Sequence, residues 1–244
     1  MNLFGDAFAW IFANWTSGSN VTGHVLEHLV VSAVCVLIAV AIALPIGVGI
    51  GHTGRGRSAA ILISNGARAL PTLGLLSILI LLTGVGLLPI VVVLVILAIP
   101  PMLAGAYAGI ESVDRQTIDA ARALGMTEWQ IITRVEIPLA LPLLIGGLRA
   151  TALQVIATLG IASAFAFGGL GIYLINGVNT ADYTQLLAGA ILITALALIV
   201  DGVLAIAQRF VVPHGVARGR TDPNGPQIRT RARRSHALQE GMQS

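Results

Sequence analysis

The sequence predicts an all-α membrane protein with about five transmembrane helices. Three observations carry that expectation: a near absence of charge, long apolar blocks, and arginines that, outside the spans, fall in one set of connecting segments. Only 10% of the 244 residues are charged and 56% are hydrophobic, with a mean hydropathy of +0.88. A water-soluble domain carries about a quarter charged residues. Apolar residues also lie in unbroken runs rather than at core-like periods.

Leu29 to Ile50 is 22 residues without a charge, and Ala69 to Ile110 is 42. At ~1.5 Å per residue the second run is roughly 63 Å of helix, about twice a ~30 Å hydrocarbon core. It must turn back once, and Thr83-Gly84-Val85-Gly86 followed by Pro89 supplies the break. Spans are thus expected at roughly 27–50, 59–83, 87–110, 138–165 and 184–210. Backbone groups in lipid must be satisfied within the segment, so these are helices; barrel strands would alternate polar and apolar residues.

Orientation follows from the arginines. Arg55 and Arg57 follow the first span, and Arg115, Arg122 and Arg134 separate the third from the fourth. Arg209, Arg218, Arg220, Arg229, Arg231, Arg233 and Arg234 close the chain. Segments 1–28, 84–89 and 166–183 hold none. The positive-inside rule then sets the N-terminus outside and the C-terminus in the cytoplasm. Residues 1–24, with Phe4, Phe8, Trp10, Phe12 and Trp15, are expected to lie at the outer interface. No basic stretch precedes them, as a cleavable signal would require. Residues 25–212 form the membrane domain, and 213–244 a flexible basic tail rich in Gly, Pro, Arg and Ser. Cys35, alone within the first span, reads as a packing or lipid-facing residue.

Enzyme signatures are missing. No G-x-x-x-x-G-K-[ST] run is present to cradle nucleotide phosphates. His24 and His28 stand four apart and on one helical face, with Glu27 off that face, so no ligand set is completed and no metal is expected. The informative segment is the long loop 111–137. Asp114 is placed to cap a short helix carrying Ile118, Ala121 and Leu124 on one side and ending at Gly125. Thr127 and Gln130 are spaced as a capping box flanked by Met126 and Ile131, and Pro138 opens the next span. A tethered helix-turn-helix between two spans suits docking of a partner protein, not nucleic acid.

Here the sequence resembles a known family. Asp119-Ala120-Ala121-Arg122-Ala123-Leu124-Gly125, then Trp129-Gln130, then Ile137-Pro138-Leu139-Ala140-Leu141-Pro142 is similar to the EAA loop of ABC-importer permeases, with Asp119 where a glutamate is usual. Arg68-Ala69-Leu70-Pro71-Thr72-Leu73-Gly74-Leu75-Leu76, Gly147-Leu148-Arg149-Ala150-Thr151-Ala152 and Gly168-Gly169-Leu170-Gly171 are similar to the quaternary-amine branch. The resemblance covers about residues 25 to 212. It implies a type I, methionine-permease-like core that carries glycine betaine, carnitine, choline or proline betaine into the cell. It implies a second permease subunit, a heterodimer being favoured over a homodimer. It also implies two cytoplasmic ATPases that hold the ATP and Mg²⁺ this chain does not, and an extracytoplasmic binding protein. Asp119, Ala120, Ala121 and Gly125 would form the coupling surface, with Thr127 and Gln130 shaping its turn. An amino-acid permease of the methionine type, an ATP-independent channel or secondary transporter, and a non-transporting scaffold are the alternatives.

Two sets of polar or small residues remain. Arg149 lies roughly 16 Å and Asp201 roughly 14 Å into their spans by helix rise, so Asp201 is expected to pair with Arg149 or with Arg68; a substrate contact is the other reading. Gly168, Gly169 and Gly171 either end the fourth span or form an outer element against the binding protein. No aromatic cage for a quaternary ammonium is evident, since Tyr107, Phe165, Phe167, Tyr173 and Tyr183 are scattered.

Overall fold

The computed structural model describes residues 2–16, 20–162, 165 and 168–211, with side chains at all of these except 67 and 68. The regular elements among them are helices: α1 (Leu3–Ala13), α2 (Val21–Thr53), α3 (Arg57–Ala69), α4 (Thr72–Thr83), α5 (Leu87–Glu111), α6 (Arg115–Ala123), α7 (Glu128–Ile131), a π turn (Ile132–Glu136), α8 (Ile137–Ala162), α9 (Gly171–Thr180) and α10 (Tyr183–Val211). The expected tail, 213–244, lies outside the described residues.

Among the described residues four runs are long and apolar enough to cross a membrane: α2, α5, the continuous stretch Glu128–Ala162, and α10. They coincide with four of the expected spans. The remaining one, 59–83, is not a single helix. It is divided into α3 and α4, of 13 and 12 residues, each shorter than the ~20 residues a crossing needs. Pro71 is the cause. Its ring removes a backbone donor and disfavours the helical conformation at the residue before it. Pro71 itself is extended (φ −69°, ψ 117°) and restarts the chain as the N-cap of α4, its carbonyl accepting the Leu75 N–H at 2.9 Å.

Pro138 stands in the first turn of α8, as expected, but the helical run does not begin there. The run begins ten residues earlier at Glu128 and passes through the π turn just before Pro138. A proline inside a helix removes an N–H and presses its ring on the carbonyl four residues back. The wider π turn is the local adjustment that lets the helix continue.

α5 is the centre of the bundle and packs against α2, α3, α4 and α8. Its approach to α8 is set by two glycines. A Cβ built on Gly105 would stand 2.6 Å from the Gly147 Cα and 3.1 Å from the Leu143 carbonyl oxygen, so neither backbone leaves room for a side chain. Cys35 is buried with Leu94 and Leu159 in the main apolar cluster, a packing residue. α1 lays Ala7 and Ile11 into a cluster with Tyr173 and Leu192, while Phe4, Phe8 and Phe12 face outward at four-residue spacing.

Gly105→Leu tests the central crossing. Overpacking typically costs about 1–3 kcal/mol, and here the obstacle is backbone, so a lower midpoint of thermal unfolding in detergent is expected. An unchanged midpoint would contradict the close approach.

Candidate functional site

The loop between α5 and α8 is an ordered miniature of its own. The Asp114 carboxylate accepts the Gln116 N–H at 3.0 Å and caps α6. Gly125 adopts φ +81°, a left-handed conformation that side chains resist, and so reverses the chain in one residue. Thr127 and Gln130 then make a reciprocal capping box: the Gln130 N–H donates to Thr127 Oγ1 at 3.4 Å, and the Thr127 N–H donates to Gln130 Oε1 at 2.9 Å. Val113, Ile118, Ala121 and Ile131, with Met126 and Val135 against them, give the loop a small apolar core.

Two side chains stand differently from the sequence expectation. Ala121 is inside that core rather than on a docking surface, and Leu124 does not join Ile118 but is 84% exposed. At about 100° per residue Leu124 lies about 120° around the helix from Ile118, off the buried stripe that Ile118 and Ala121 form. Trp129, one turn further on, is 73% exposed. Asp119, Ala120, Gly125 and Thr127 are exposed and Gln130 half-buried. The loop thus exposes Leu124, Trp129 and Asp119 on a frame fixed by caps.

An ionic chain joins the loop to the end of α2, and the sequence reading missed it. Arg122 Nη1 lies 3.2 Å from Asp119 Oδ1, and its Nε and Nη2 donate to the two oxygens of Glu128 at 2.8 and 3.0 Å. Glu128, and more weakly Asp119, hold the Arg122 guanidinium above its ordinary value. His52, at the end of α2, lies between Glu128 and Glu136, with Nε2 and Nδ1 at 3.1 and 2.7 Å from their oxygens. Glu136 is 1% exposed, so it depends on that partner. Eight residues of regular α-helix would leave two side chains about 80° apart. The π turn between Glu128 and Glu136 takes up about one extra residue and brings both carboxylates to one face.

Of the intramembrane charges, Arg149 on α8 and Asp201 on α10 meet. Nε donates to Oδ1 and Nη2 to Oδ2, each at 2.8 Å, the two-pronged geometry that favours arginine. Arg149 Nη1 also donates to Gln208 Oε1 at 3.3 Å, and Gln208 donates in turn to the Pro142 carbonyl at 3.1 Å. Both oxygens of Asp201 are occupied by Arg149; the Arg68 side chain lies outside the described residues.

At the opposite end, Glu27 is not a bystander to the histidine pair. Three residues after His24, it brings Oε2 within 3.2 Å of His24 Nδ1 and accepts the Gly169 N–H at 2.7 Å. His28 accepts the Leu170 N–H on Nδ1 at 3.3 Å, so its other nitrogen carries the hydrogen and donates to the Ile156 carbonyl at 3.0 Å. The glycine segment is therefore held down on α2: Gly169 and Gly171 are buried and Gly168 half-buried. His24 and Trp10 meet the Tyr173 ring edge-on at 5.5 and 5.2 Å, and burial pushes the Tyr173 phenol up to about 12. Among the described residues no three His, Cys, Asp or Glu side chains group as metal ligands.

A helical membrane bundle with a capped, glycine-turned loop between two spans is the architecture of a transport-system membrane component. The chain belongs to the family of binding-protein-dependent transport system inner membrane components, which matches residues 39–213. It is 35% identical over 201 residues to the glycine betaine/carnitine/choline transport system permease protein OpuCB of Bacillus subtilis (strain 168), spanning 82% of this chain and 93% of that one. It is 33% identical over 215 residues to the carnitine transport permease protein OpuCB of Listeria monocytogenes, spanning 88% and 98%. In fold it is similar to a chain of the inward-facing MetNI methionine ABC transporter, with a TM-score of 0.70 and 24% identity over 79% of this chain and 96% of that one.

The ion pair of Arg149 and Asp201 is tested by a double-mutant cycle. Arg149→Gln and Asp201→Asn each strand a charge within the bundle and should lower stability in detergent, while the double variant recovers part of the loss. The coupling energy expected for contacting residues is about 0.5–3 kcal/mol. Strictly additive effects would contradict the pairing.

Proposed function

We propose that this chain is the permease subunit of an ATP-binding-cassette importer that carries a quaternary-ammonium osmoprotectant: glycine betaine, carnitine, choline or proline betaine. The observation that carries the reading is the loop 111–137, whose Asp119, exposed Leu124 and Trp129, and left-handed Gly125 form a rigid knob at the end of two spans. Such a knob fits a groove on an ATPase subunit, and this chain has no phosphate-cradling motif with which to energise transport itself. The substrates named for the relatives in Bacillus subtilis and Listeria monocytogenes support the osmoprotectant class.

In this reading the arginine-bearing segments face the cytoplasm, and the loop with them. Two ATPases close on ATP, draw the paired loops together and reorient the bundles. The second permease is a different chain, following the pairing usual in the branch that the sequence resembles. An extracytoplasmic binding protein delivers the solute and accounts for selectivity, which is consistent with Tyr173 being packed against Trp10 and His24 rather than open to a ligand. Residues 1–24 lie at the outer interface, where the outward Phe4, Phe8 and Phe12 would sit among headgroups.

Purification in gentle detergent should retain a P-loop ATPase and a second permease, and the complex should hydrolyse ATP faster with a betaine than with methionine. Gly125→Pro should leave insertion intact and abolish solute uptake, since proline cannot take the left-handed conformation. Recovery of the chain alone, or normal uptake by that variant, would contradict the proposal.

A further inference from the structure

His52 stands outside the loop and outside the motif that the loop carries, yet it joins both ends of the loop's exit helix. Glu128 begins the run 128–162 and Glu136 closes its π turn. A π turn is the one irregular place in that helix, and such turns are where helices bend. His52 touches the carboxylate before it and the carboxylate after it, at 3.1 and 2.7 Å. The last turn of α2 therefore brackets the point where the loop meets the bundle.

The two contacts differ in kind: His52 Nδ1 and Glu136 are hydrogen-bonded at 2.7 Å, and Nε2 stands at ion-pair distance, 3.1 Å, from Glu128. Glu128 and Glu136 face His52 from the exit helix. Arg122 from α6 bonds Glu128 in turn and is shared with Asp119. At the ends of α5 and α3, Glu111 and Arg57 are paired with each other at 2.6 Å.

We propose that His52 is a positioning residue for the coupling loop: by clasping Glu128 and Glu136 across the π turn, it makes the loop move with the end of α2. Opening of the clasp frees the exit helix to bend at the π turn. Its role in transport rests on the reading that the loop docks on an ATPase.

The test uses the full chain with Cys35→Ala, spin-labelled at Arg55→Cys beyond α2 and Ala123→Cys at the end of α6, both exposed. In the parent a narrow distance distribution is expected, and His52→Ala should be broad. Glu136→Gln is the decisive variant: its amide can still hydrogen-bond Nδ1, so the distribution stays narrow. A His52→Ala distribution as narrow as the parent's, or a Glu136→Gln distribution as broad as that of His52→Ala, would overturn the clasp. In the assembled transporter, His52→Ala should lower solute moved per ATP roughly 2- to 30-fold, with Glu136→Gln keeping the parent ratio; an unchanged ratio in His52→Ala would overturn the positioning role. Absence of any ATPase from the purified chain would sink the importer reading alone and leave the distances to judge the clasp.

Discussion

A hydrocarbon layer offers no hydrogen bonds, so every peptide group crossing it must be satisfied along its own helix and every charge by a neighbour. The packing and polar contacts of this chain follow from that constraint. Spans cannot be glued by burying apolar surface from water, because lipid is as apolar as leucine. They are joined instead by close backbone approach, as at Gly105 and Gly147, and by polar bonds with defined partners. Arg149 and Asp201 tie α8 to α10, and His28 ties α2 to the end of α8 through the Ile156 carbonyl. Each of these contacts is geometrically specific, which apolar packing in lipid is not.

The same constraint makes the bundle suited to moving as blocks. α5 and α8 are locked by glycine contact, and α8 is locked to α10 by the two-pronged ion pair. The loop is rigid in itself through its caps, its apolar core and the Arg122 bonds. Displacing Leu124 or Trp129 would therefore displace the exit helix rather than deform the loop. Where the helix is irregular, at the π turn, His52 braces it from α2. A mechanical path from an outer surface of the loop into the bundle needs this sequence of stiff parts.

Much of this was legible in the sequence, and the rest was not, for identifiable reasons. The long apolar runs gave α2, α5, α8 and α10 because span length and hydropathy are local properties. The capping box at Thr127 and Gln130 and the turn at Gly125 are local as well. Pro71 looked like part of a span and divides it, whereas Pro138 stands in the first turn of α8 as expected, although the helical run already begins at Glu128. Proline's effect depends on whether the neighbouring turn can widen, which composition does not reveal. Leu124 was grouped with Ile118, but six residues of helix turn it about 120° away, and it is exposed. The bonds of Glu27 to Gly169 and of His52 to Glu136 join residues 142 and 84 apart, and no spacing rule reaches so far. Arg149 and Asp201, 52 apart, were nonetheless pairable, because two isolated charges at equal depth have few alternatives.

The central claim is that the loop 111–137 is the surface through which a partner ATPase drives this bundle. Photo-crosslinking from single sites answers it most directly, with the probe placed in turn at Leu124, at Trp129 and, as a buried control, at Ile118 in membranes of the native host. Adducts from positions 124 and 129 to a P-loop ATPase, and none from position 118, are the expected result. Adducts only to lipid, or equal labelling from all three positions, would contradict the account.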